Sequence, residues 1–266
     1  MPIRELTRDV VRSFQRNGLP NFASAMAFQT VLALVPCLLF LLALIGFLDL
    51  EEIWREDVAP DVREASSDAA FRLIDDTIGQ ILGQQQLWWL TAGVALTLWE
   101  LSAAMRVTMT ALDRVYGYYR RRNIFELLPR SILLGATMGI CIAGAIAAVR
   151  FGPLLTGELD GAAAALSFLV RWLVAALVLG AGVALTVHFG SATRQTVPWV
   201  SIGTLLVLAA WVVTSIAFGV YVTVVGSYGS IFSHLATFFV LLVYVWLLAN
   251  AFLVGVQVDA CLRERA

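Results

Sequence analysis

The sequence contains no lysine and little charge of either sign. Its 18 basic residues are all arginine, and charged residues make up 14% of its 266 positions, against about 25% in an average soluble domain. Hydrophobic residues make up 60% of the chain, and its mean hydropathy is +0.83. This composition excludes an ordinary soluble protein and indicates a polytopic membrane protein. The lack of lysine is typical of a GC-rich bacterial genome.

Residues that build metal, disulfide and catalytic sites are also scarce. There are two histidines and three cysteines, and Cys37, Cys141 and Cys261 lie far apart in or beside apolar segments. Neither a disulfide framework nor zinc-binding spacing is present. The chain also lacks His/Asp clusters typical of metalloenzymes, glycine-rich nucleotide-binding motifs and G-x-S-x-G. We therefore predict no catalytic residue, no metal, no cofactor and no enzymatic activity.

Six apolar stretches are long enough to cross a bilayer, whose hydrocarbon core of about 30 Å takes roughly 20 helical residues. We predict an all-α, polytopic membrane helix bundle that forms a single membrane domain over residues 1–266. The predicted spans are residues 25–48, 88–112, 131–149, 165–187, 200–224 and 235–257. The two halves of the chain show no internal repeat, so an inverted-repeat transporter is not indicated.

An amphipathic helix is predicted before the first span. Arginine recurs every four residues on one side of it, opposite an apolar face. The arginines are Arg4, Arg8, Arg12 and Arg16, and the apolar residues are Ile3, Leu6, Val10 and Phe14. This pattern suits a helix lying on an anionic membrane surface, and the alternative is a solvated cytoplasmic helix. Gly18, Pro20 and Asn21 are expected to end the helix.

A second amphipathic helix is predicted in the extracytoplasmic loop, residues 49–87. This loop carries ten acidic residues and only three arginines. Within it, apolar residues follow helical spacing after the start signals Ser66, Ser67 and Asp68. They are Phe71, Ile74, Ile78 and Ile81. We expect this helix to rest on the outer face of the bundle, as a structural cover rather than a lid.

The distribution of arginine predicts the orientation. Twelve arginines lie in the N-terminal segment, the loops 113–130 and 188–199 and the C-terminal tail, whereas four lie in the opposite loops. The positive-inside rule then places both termini in the cytoplasm. No apolar h-region follows the first charges, so residues 1–20 are not expected to form a signal peptide. We predict a multi-pass protein of the bacterial inner membrane.

The second span contains the strongest functional candidate. If Trp88 and Trp89 mark one membrane boundary, Glu100 lies near mid-membrane, where a charged side chain costs on the order of 3 kcal/mol or more. The alternative is a protonated Glu100 that is hydrogen-bonded to a Ser or Thr of a neighbouring helix. Arg106 is a further candidate near the far boundary. It lies about 240° further round the helix, so the two side chains do not share a face.

Three other candidates lie in or near spans. Arg171 is the remaining deep basic residue, and the alternative for it is an interfacial arginine that snorkels beside Trp172. Gln29 is polar near the start of the first span. Pro36 lies in the middle of that span and removes a backbone donor, which predicts a kink.

The last span contributes candidates at both ends. Tyr228 and Gly229 lie in an uncharged connection, residues 226–230, which is either a re-entrant turn or an ordinary tight turn. His234 is expected to begin the span at the outer surface, as a proton sensor or as a plain surface residue. Gln257 and Asp259 end the span, and Asp259 is expected at the membrane interface.

Three blocks of sequence carry a resemblance that covers nearly the whole chain. They are ASAMAFQTVLALVPCLLF (23–40), LWELSAAMRVTMTALDRVYG (98–117) and YVTVVGSYGSIFSHLATFFVLLVYVWLLANAFLVGVQVDA (221–260). In this order and spacing the chain is similar to the BrkB/YihY-type inner membrane proteins, historically labelled ribonuclease BN. The resemblance implies six spans and cytoplasmic termini. It also implies an acidic residue at the position of Gln257, from which this chain departs.

We predict that the protein moves a lipid, an amphiphile or a small solute across the inner membrane. Lipid is preferred to an ion because few charged residues lie deep in the spans, and an ion path needs several polar groups in line. The alternative is a non-transporting envelope scaffold or assembly partner. A ribonuclease is not indicated, since the cytoplasmic arginines suit phospholipid headgroups. The expected partners are membrane lipids and not nucleic acid, and the small-residue helices allow a homo-oligomer.

Overall fold

The computed structural model describes residues 3–47, 59–60, 63, 71–72, 75, 87–118, 123–156, 162–192, 201–225 and 231–263. Within these ranges the chain forms seven long helices and no strand, which confirms the all-α class. The helices are α1 (Ile3–Arg16), α2 (Leu19–Phe47), α3 (Leu87–Val115), α4 (Ile124–Thr156), α5 (Ala162–Gly190), α6 (Ile202–Val225) and α7 (Ile231–Arg263).

The break between α1 and α2 is shorter than the sequence suggests. Asn17 and Gly18 form the turn, and Gly18 has a φ of 65°, a left-handed conformation that glycine adopts without steric cost. Pro20 and Asn21 were expected to end α1, but they lie in the first turn of α2. Proline is tolerated there because the first N–H groups of a helix have no intrahelical partner.

The apolar face of α1 packs against protein. Val10 is buried, and Phe14 packs against the main apolar core. The four arginines of the opposite face are exposed. Since α1 contacts both α2 and α7, it is docked across the end of the bundle at which α7 ends. This end is called the termini-bearing end below.

The bundle is built by pairwise packing of neighbouring helices. Helix α2 packs on α3, α3 on α4 and α4 on α5, while α7 packs on both α2 and α6. The main core lies towards the termini-bearing end and is formed by small and branched side chains. It includes Leu19, Ala23, Leu112, Val183, Val207, Leu253 and Val256. Ala23 and Ala27 of α2 are buried, which allows close packing of this helix.

Many large apolar side chains point away from the protein. Ile140 is 73% exposed, Val213 67% and Leu169 64%. Exposed apolar surface on this scale is not found on soluble monomers. The helices α2, α4, α5, α6 and α7 are each long and apolar enough to cross a membrane. The protein is therefore embedded in a membrane by several apolar helices, although by this measure the described ranges contain five spans rather than the predicted six.

Helix α3 accounts for the difference in span count. It is 29 residues long and packs between α2 and α4. It carries Glu100, Arg106, Asp113 and Arg114 and is not among the five spans recognised by length and composition. Helices α4, α5 and α7 run beyond the predicted spans at both ends; α4, for example, covers Ile124–Thr156 where residues 131–149 were predicted.

Candidate functional site

The most developed polar site lies at the termini-bearing end, where α1, α3 and α7 end. A cavity of about 370 Å³ opens there. We call it the arginine cavity, because one arginine from the end of each helix lines it. The described residues that line it are Ser13, Arg16, Asn17, Arg114, Val115, Tyr116, Gly117, Gln257, Ala260 and Arg263.

The end of α3 is shaped by a glycine C-cap. Gly117 has a φ of 73°, and its N–H donates to the carbonyl oxygen of Arg114 at 3.3 Å. The N–H of Tyr118 donates to the carbonyl oxygen of Asp113 at 2.7 Å. These two bonds form a Schellman motif, which ends a helix and satisfies its last carbonyls. The motif places Arg114 and Tyr116 at the wall of the arginine cavity.

Tyr116 is the titratable group of this wall whose environment is most unusual. Burial raises the pKa of Tyr116 to about 12; the Arg263 guanidinium lowers it and the Asp259 carboxylate raises it to smaller extents. The hydroxyl is buried without a hydrogen-bond partner among the described residues. Tyr116 is therefore neutral at physiological pH and keeps its proton as a donor.

Gln257 forms the buried floor of the cavity. Its side chain is 3% exposed. Its amide oxygen accepts a hydrogen bond from Asn17 Nδ2 at 3.2 Å, and its amide nitrogen lies 3.5 Å from Cys261 Sγ. The bond to Asn17 ties the C-terminal helix to the turn between α1 and α2. The sequence singled out Gln257 as a helix-end candidate, and the structure places it in contact with that turn.

Asp259 lies two residues further along α7 and caps the N-terminus of α6. Its carboxylate accepts hydrogen bonds from Gly203 N at 2.8 Å and from the Ser201 hydroxyl. Ser201 Oγ in turn accepts a bond from Thr204 N at 3.0 Å. A carboxylate and a serine at a helix N-terminus satisfy its free N–H groups and interact favourably with the helix dipole.

Asp113 has a comparable role that the sequence did not indicate. It is buried near the end of α3, and its Oδ1 accepts a hydrogen bond from Ala192 N at 2.8 Å. This bond fixes the chain just after α5 to α3. Asp113 lies in a segment that was assigned to a loop, where an acidic residue gives no signal of a buried contact.

The intramembrane candidates lie away from the arginine cavity. Glu100 is half-buried near the middle of α3, and no hydrogen bond or ion pair of its carboxylate is found in the part of the chain that the structure describes. The alternative interpretation of Glu100, a hydrogen bond to a Ser or Thr of a neighbouring helix, therefore finds no such partner among the described residues. Arg106 instead finds its partners on its own helix: Nη1 donates to Ser102 Oγ at 2.6 Å, and the guanidinium lies 5.6 Å from the ring centroid of Trp99.

The remaining candidates are dispersed. Arg171 Nε donates to the carbonyl oxygen of Ser167 at 3.2 Å, beside the exposed Trp172. Gln29 is half-buried in α2. Pro36 is buried in the same helix, which continues through it to Phe47. His234 belongs to the first turns of α7.

Several predicted features fall outside the described residues. Tyr228 and Gly229 lie there, as do Ile74, Ile78 and Ile81 of the extracytoplasmic helix. Phe71 of that helix is described and helical, and the Arg63 guanidinium lies 5.7 Å from its ring centroid. In the described ranges, no group of three or more His, Cys, Asp or Glu side chains is placed to hold a metal ion.

The sequence missed the convergence of Arg16, Arg114 and Arg263. Part of the signal was present, since Arg16 and Arg114 lie within two residues of predicted helix ends and Arg263 lies in the predicted C-terminal tail. The predicted topology brings these helix ends to one face of the bundle. It does not say which of the arginines on that face share a cavity.

The comparisons with known proteins show the family of the chain but no individual relative. A family model described as virulence factor BrkB matches residues 10–266 of the chain. No curated protein and no solved structure matches the chain.

Proposed function

The chain belongs to the BrkB family, and from this premise we propose that it is an inner-membrane transport protein that moves a lipid or another amphiphile across the bilayer. The observation that carries the proposal is an open polar cavity at one end of an apolar bundle, together with a stretch of the α6–α7 pair in which no described side chain is buried. An amphiphile needs both features, a polar site for its headgroup and an accessible apolar surface for its chains.

The far half of the α6–α7 pair supports this function. Between residues 208 and 221 of α6, and between residues 238 and 248 of α7, no side chain is buried. These segments hold each other by specific contacts: Ser215 Oγ lies 2.9 Å from Tyr244 Oη, and the rings of Phe218 and Tyr244 stack with centroids 4.4 Å apart. Within these two stretches the pair is therefore only partly covered by the rest of the protein.

A six-span topology is part of the proposal. Helix α1, which leads into the first span, contacts α7, the last span. The chain therefore enters the first span and leaves the last span on the same side of the membrane. An even number of crossings is needed for this arrangement. Five helices qualify as spans by composition, and α3 is the sixth, because at about 1.5 Å per residue its 29 residues extend over more than a bilayer core.

The arginines of the termini-bearing end support a cytoplasmic orientation of this end. Arg4, Arg8 and Arg12 of α1 are exposed there, and so is Arg130 at the start of α4. Positively charged segments remain on the cytoplasmic side of the inner membrane. In the proposed orientation, both termini and the arginine cavity therefore face the cytoplasm. A reporter fused after the last residue should read cytoplasmic, and a periplasmic reading would refute this orientation.

Reconstituted vesicles test the transport function. Purified protein is inserted into vesicles that carry a fluorescent phospholipid in both leaflets, and the outer leaflet is bleached with dithionite. We expect bleaching beyond the outer-leaflet half in protein-containing vesicles and not in empty ones. Glu100→Gln tests the mid-membrane carboxylate, and Glu126→Gln, which changes an exposed residue of α4, is its matched control.

The outcomes separate the candidate functions. Faster lipid movement that Glu100→Gln reduces and Glu126→Gln does not would support lipid transport through the region of α3. Equal movement with all variants would remove Glu100 from the mechanism while keeping the transport function. No movement above empty vesicles, with protein of native elution volume, would refute lipid transport and favour a solute path or an envelope scaffold.

A further inference from the structure

Three arginines that are far apart in the sequence line one cavity. Arg16 ends α1, Arg114 lies in the last turn of α3, and Arg263 ends α7. Arg16 and Arg114 are exposed and Arg263 is half-buried, so the cavity opens to the aqueous side of the termini-bearing end. Among the described residues that line it, none is acidic. The wall therefore concentrates positive charge where three helices meet.

The described acidic residues nearest in sequence to Arg114 and Arg263 accept hydrogen bonds from backbone or hydroxyl groups of other helices and turns. Asp113, next to Arg114, accepts the N–H of Ala192. Asp259, one turn before Arg263, accepts the N–H of Gly203 and the hydroxyl of Ser201. Neither carboxylate lines the cavity. Each guanidinium also carries five N–H donors, so that a contact with the protein leaves further donors for a ligand.

The uncharged part of the wall is rich in donors. Asn17 and Gln257 present amides, and Ser13 presents a hydroxyl. Tyr116 adds a hydroxyl that is buried without a partner among the described residues. The Asn17–Gln257 bond engages the amide oxygen of Gln257, and Ser13 and Tyr116 add hydroxyl donors to the wall. A donor-rich wall with three guanidinium groups matches an anion with several acceptor oxygens.

We propose that the arginine cavity binds a phosphate group, carried either by the headgroup of an anionic phospholipid or by a free phosphate. Guanidinium groups bind phosphate oxygens in a planar, bidentate geometry, and basic pockets between helices on the cytoplasmic side recognise anionic headgroups. The volume of about 370 Å³ is within the range of about 300–1,000 Å³ of small-molecule sites. This inference deepens the proposed function by naming its substrate class, although phosphate binding itself does not require transport.

Binding is measured by isothermal titration with purified full-length protein in an uncharged detergent. The probes are dihexanoyl phosphatidylglycerol, dihexanoyl phosphatidylcholine and inorganic phosphate. Phosphatidylcholine controls for the apolar chains, because its choline cation offsets the phosphate charge. We expect saturable binding of phosphatidylglycerol or of phosphate that weakens as salt is added, and much weaker binding of phosphatidylcholine.

Gln257→Glu is the decisive variant. It is nearly isosteric, keeps the acceptor that Asn17 uses, and adds a carboxylate to the floor of the cavity. A new negative charge beside three arginines should lower the affinity for the anion at least about tenfold. Retained elution volume and thermal stability would show that the loss is not a failure to fold.

An exposed arginine pair on α1 supplies the matched control. Arg16 lines the cavity and Arg12, one turn earlier, does not; both are exposed. Arg16→Gln should weaken binding roughly three- to fivefold, as for an exposed ion pair, and Arg12→Gln should leave it unchanged within about twofold. Equal effects of the two variants would overturn the proposed site.

The binding outcomes distinguish a lipid headgroup from free phosphate as the source of the phosphate group. They can also be told apart from the outcomes of the transport experiment. Binding of phosphatidylglycerol but not of free phosphate assigns the site to a lipid headgroup, and binding of both assigns it to the phosphate group itself. Absence of binding by either probe, or binding that Gln257→Glu leaves unaltered, overturns the inference. Lipid movement without binding in the cavity would refute this site alone, whereas binding without lipid movement would refute transport alone.

Discussion

The crossing of α6 and α7 offers a sharp test of the structure at Gly203. A methyl group at this position would lie 2.5 Å from the Asp259 carboxylate and closer still to the carbonyl oxygen of Gly255. Real side chains do not approach backbone at such distances, so Gly203→Ala must push α6 away from α7. The displaced atoms include the Gly203 N–H, which donates to Asp259 at 2.8 Å.

The expected loss of stability has two main parts. Overpacking at a tight contact costs about 1–3 kcal/mol, and losing a hydrogen bond to a charged group costs about 1.5–3 kcal/mol. The higher helix propensity of alanine offsets about 0.5–1 kcal/mol of this. A net loss of about 3 kcal/mol corresponds to a fall in Tm of roughly 6–12 °C in a protein of this size.

Gly219→Ala is the matched control in the same helix. A methyl group at Gly219 meets no described atom within 4 Å, so its expected effect is a gain of about 0.5–1 kcal/mol from helix propensity alone. Thermal unfolding in detergent, followed by the loss of the native elution peak after heating, measures both variants. An unchanged Tm for Gly203→Ala would contradict the close α6–α7 crossing.

Two further predictions concern the termini-bearing end. Asp113→Ala should lower the stability by about 1–3 kcal/mol, because it leaves the Ala192 N–H without its acceptor; it should also speed proteolysis of the segment after α5, and an unchanged Tm and cleavage rate would argue against the contact. The affinity for phosphatidylglycerol should stay constant between about pH 6.5 and pH 9, because arginine remains charged there and Tyr116, with a pKa of about 12, remains neutral. The raised pKa stabilises the folded state fully below about pH 10, the unfolded value, and this contribution is lost as the pH rises through 12. Lipid titration at constant salt tests the affinity, and thermal unfolding at alkaline pH tests the stability. A marked change of affinity near neutral pH would show that another titratable group lines the site.

Membrane embedding and helix class were predictable because they depend on composition and on long apolar runs. The arginine period of α1 also predicted its two faces correctly, since a helical period of 3.6 residues can be counted in the sequence. The surface that covers the apolar face of α1 could not be predicted from this period. Val10 and Phe14 pack on the bundle, whereas the pattern alone suits a membrane surface equally well.

The candidate site was predicted less well than the fold. Glu100 was singled out by its depth in an apolar segment, which is a local property. The arginine cavity depends instead on residues 16, 114 and 263 meeting at one end of the bundle. Each of these arginines is unremarkable in its own segment, because arginine is common at the cytoplasmic ends of membrane helices.

The sequence by itself determined that this protein is a helical membrane protein with an amphipathic N-terminal helix, because hydrophobicity and periodicity act within single segments. Only the tertiary structure decided which polar residues meet. It placed Asp259 on the N-terminus of α6, joined Gln257 to Asn17 and gathered three arginines around one cavity. The physical reason is that these contacts join residues up to 240 positions apart, and their formation depends on how the helices pack rather than on any one helix.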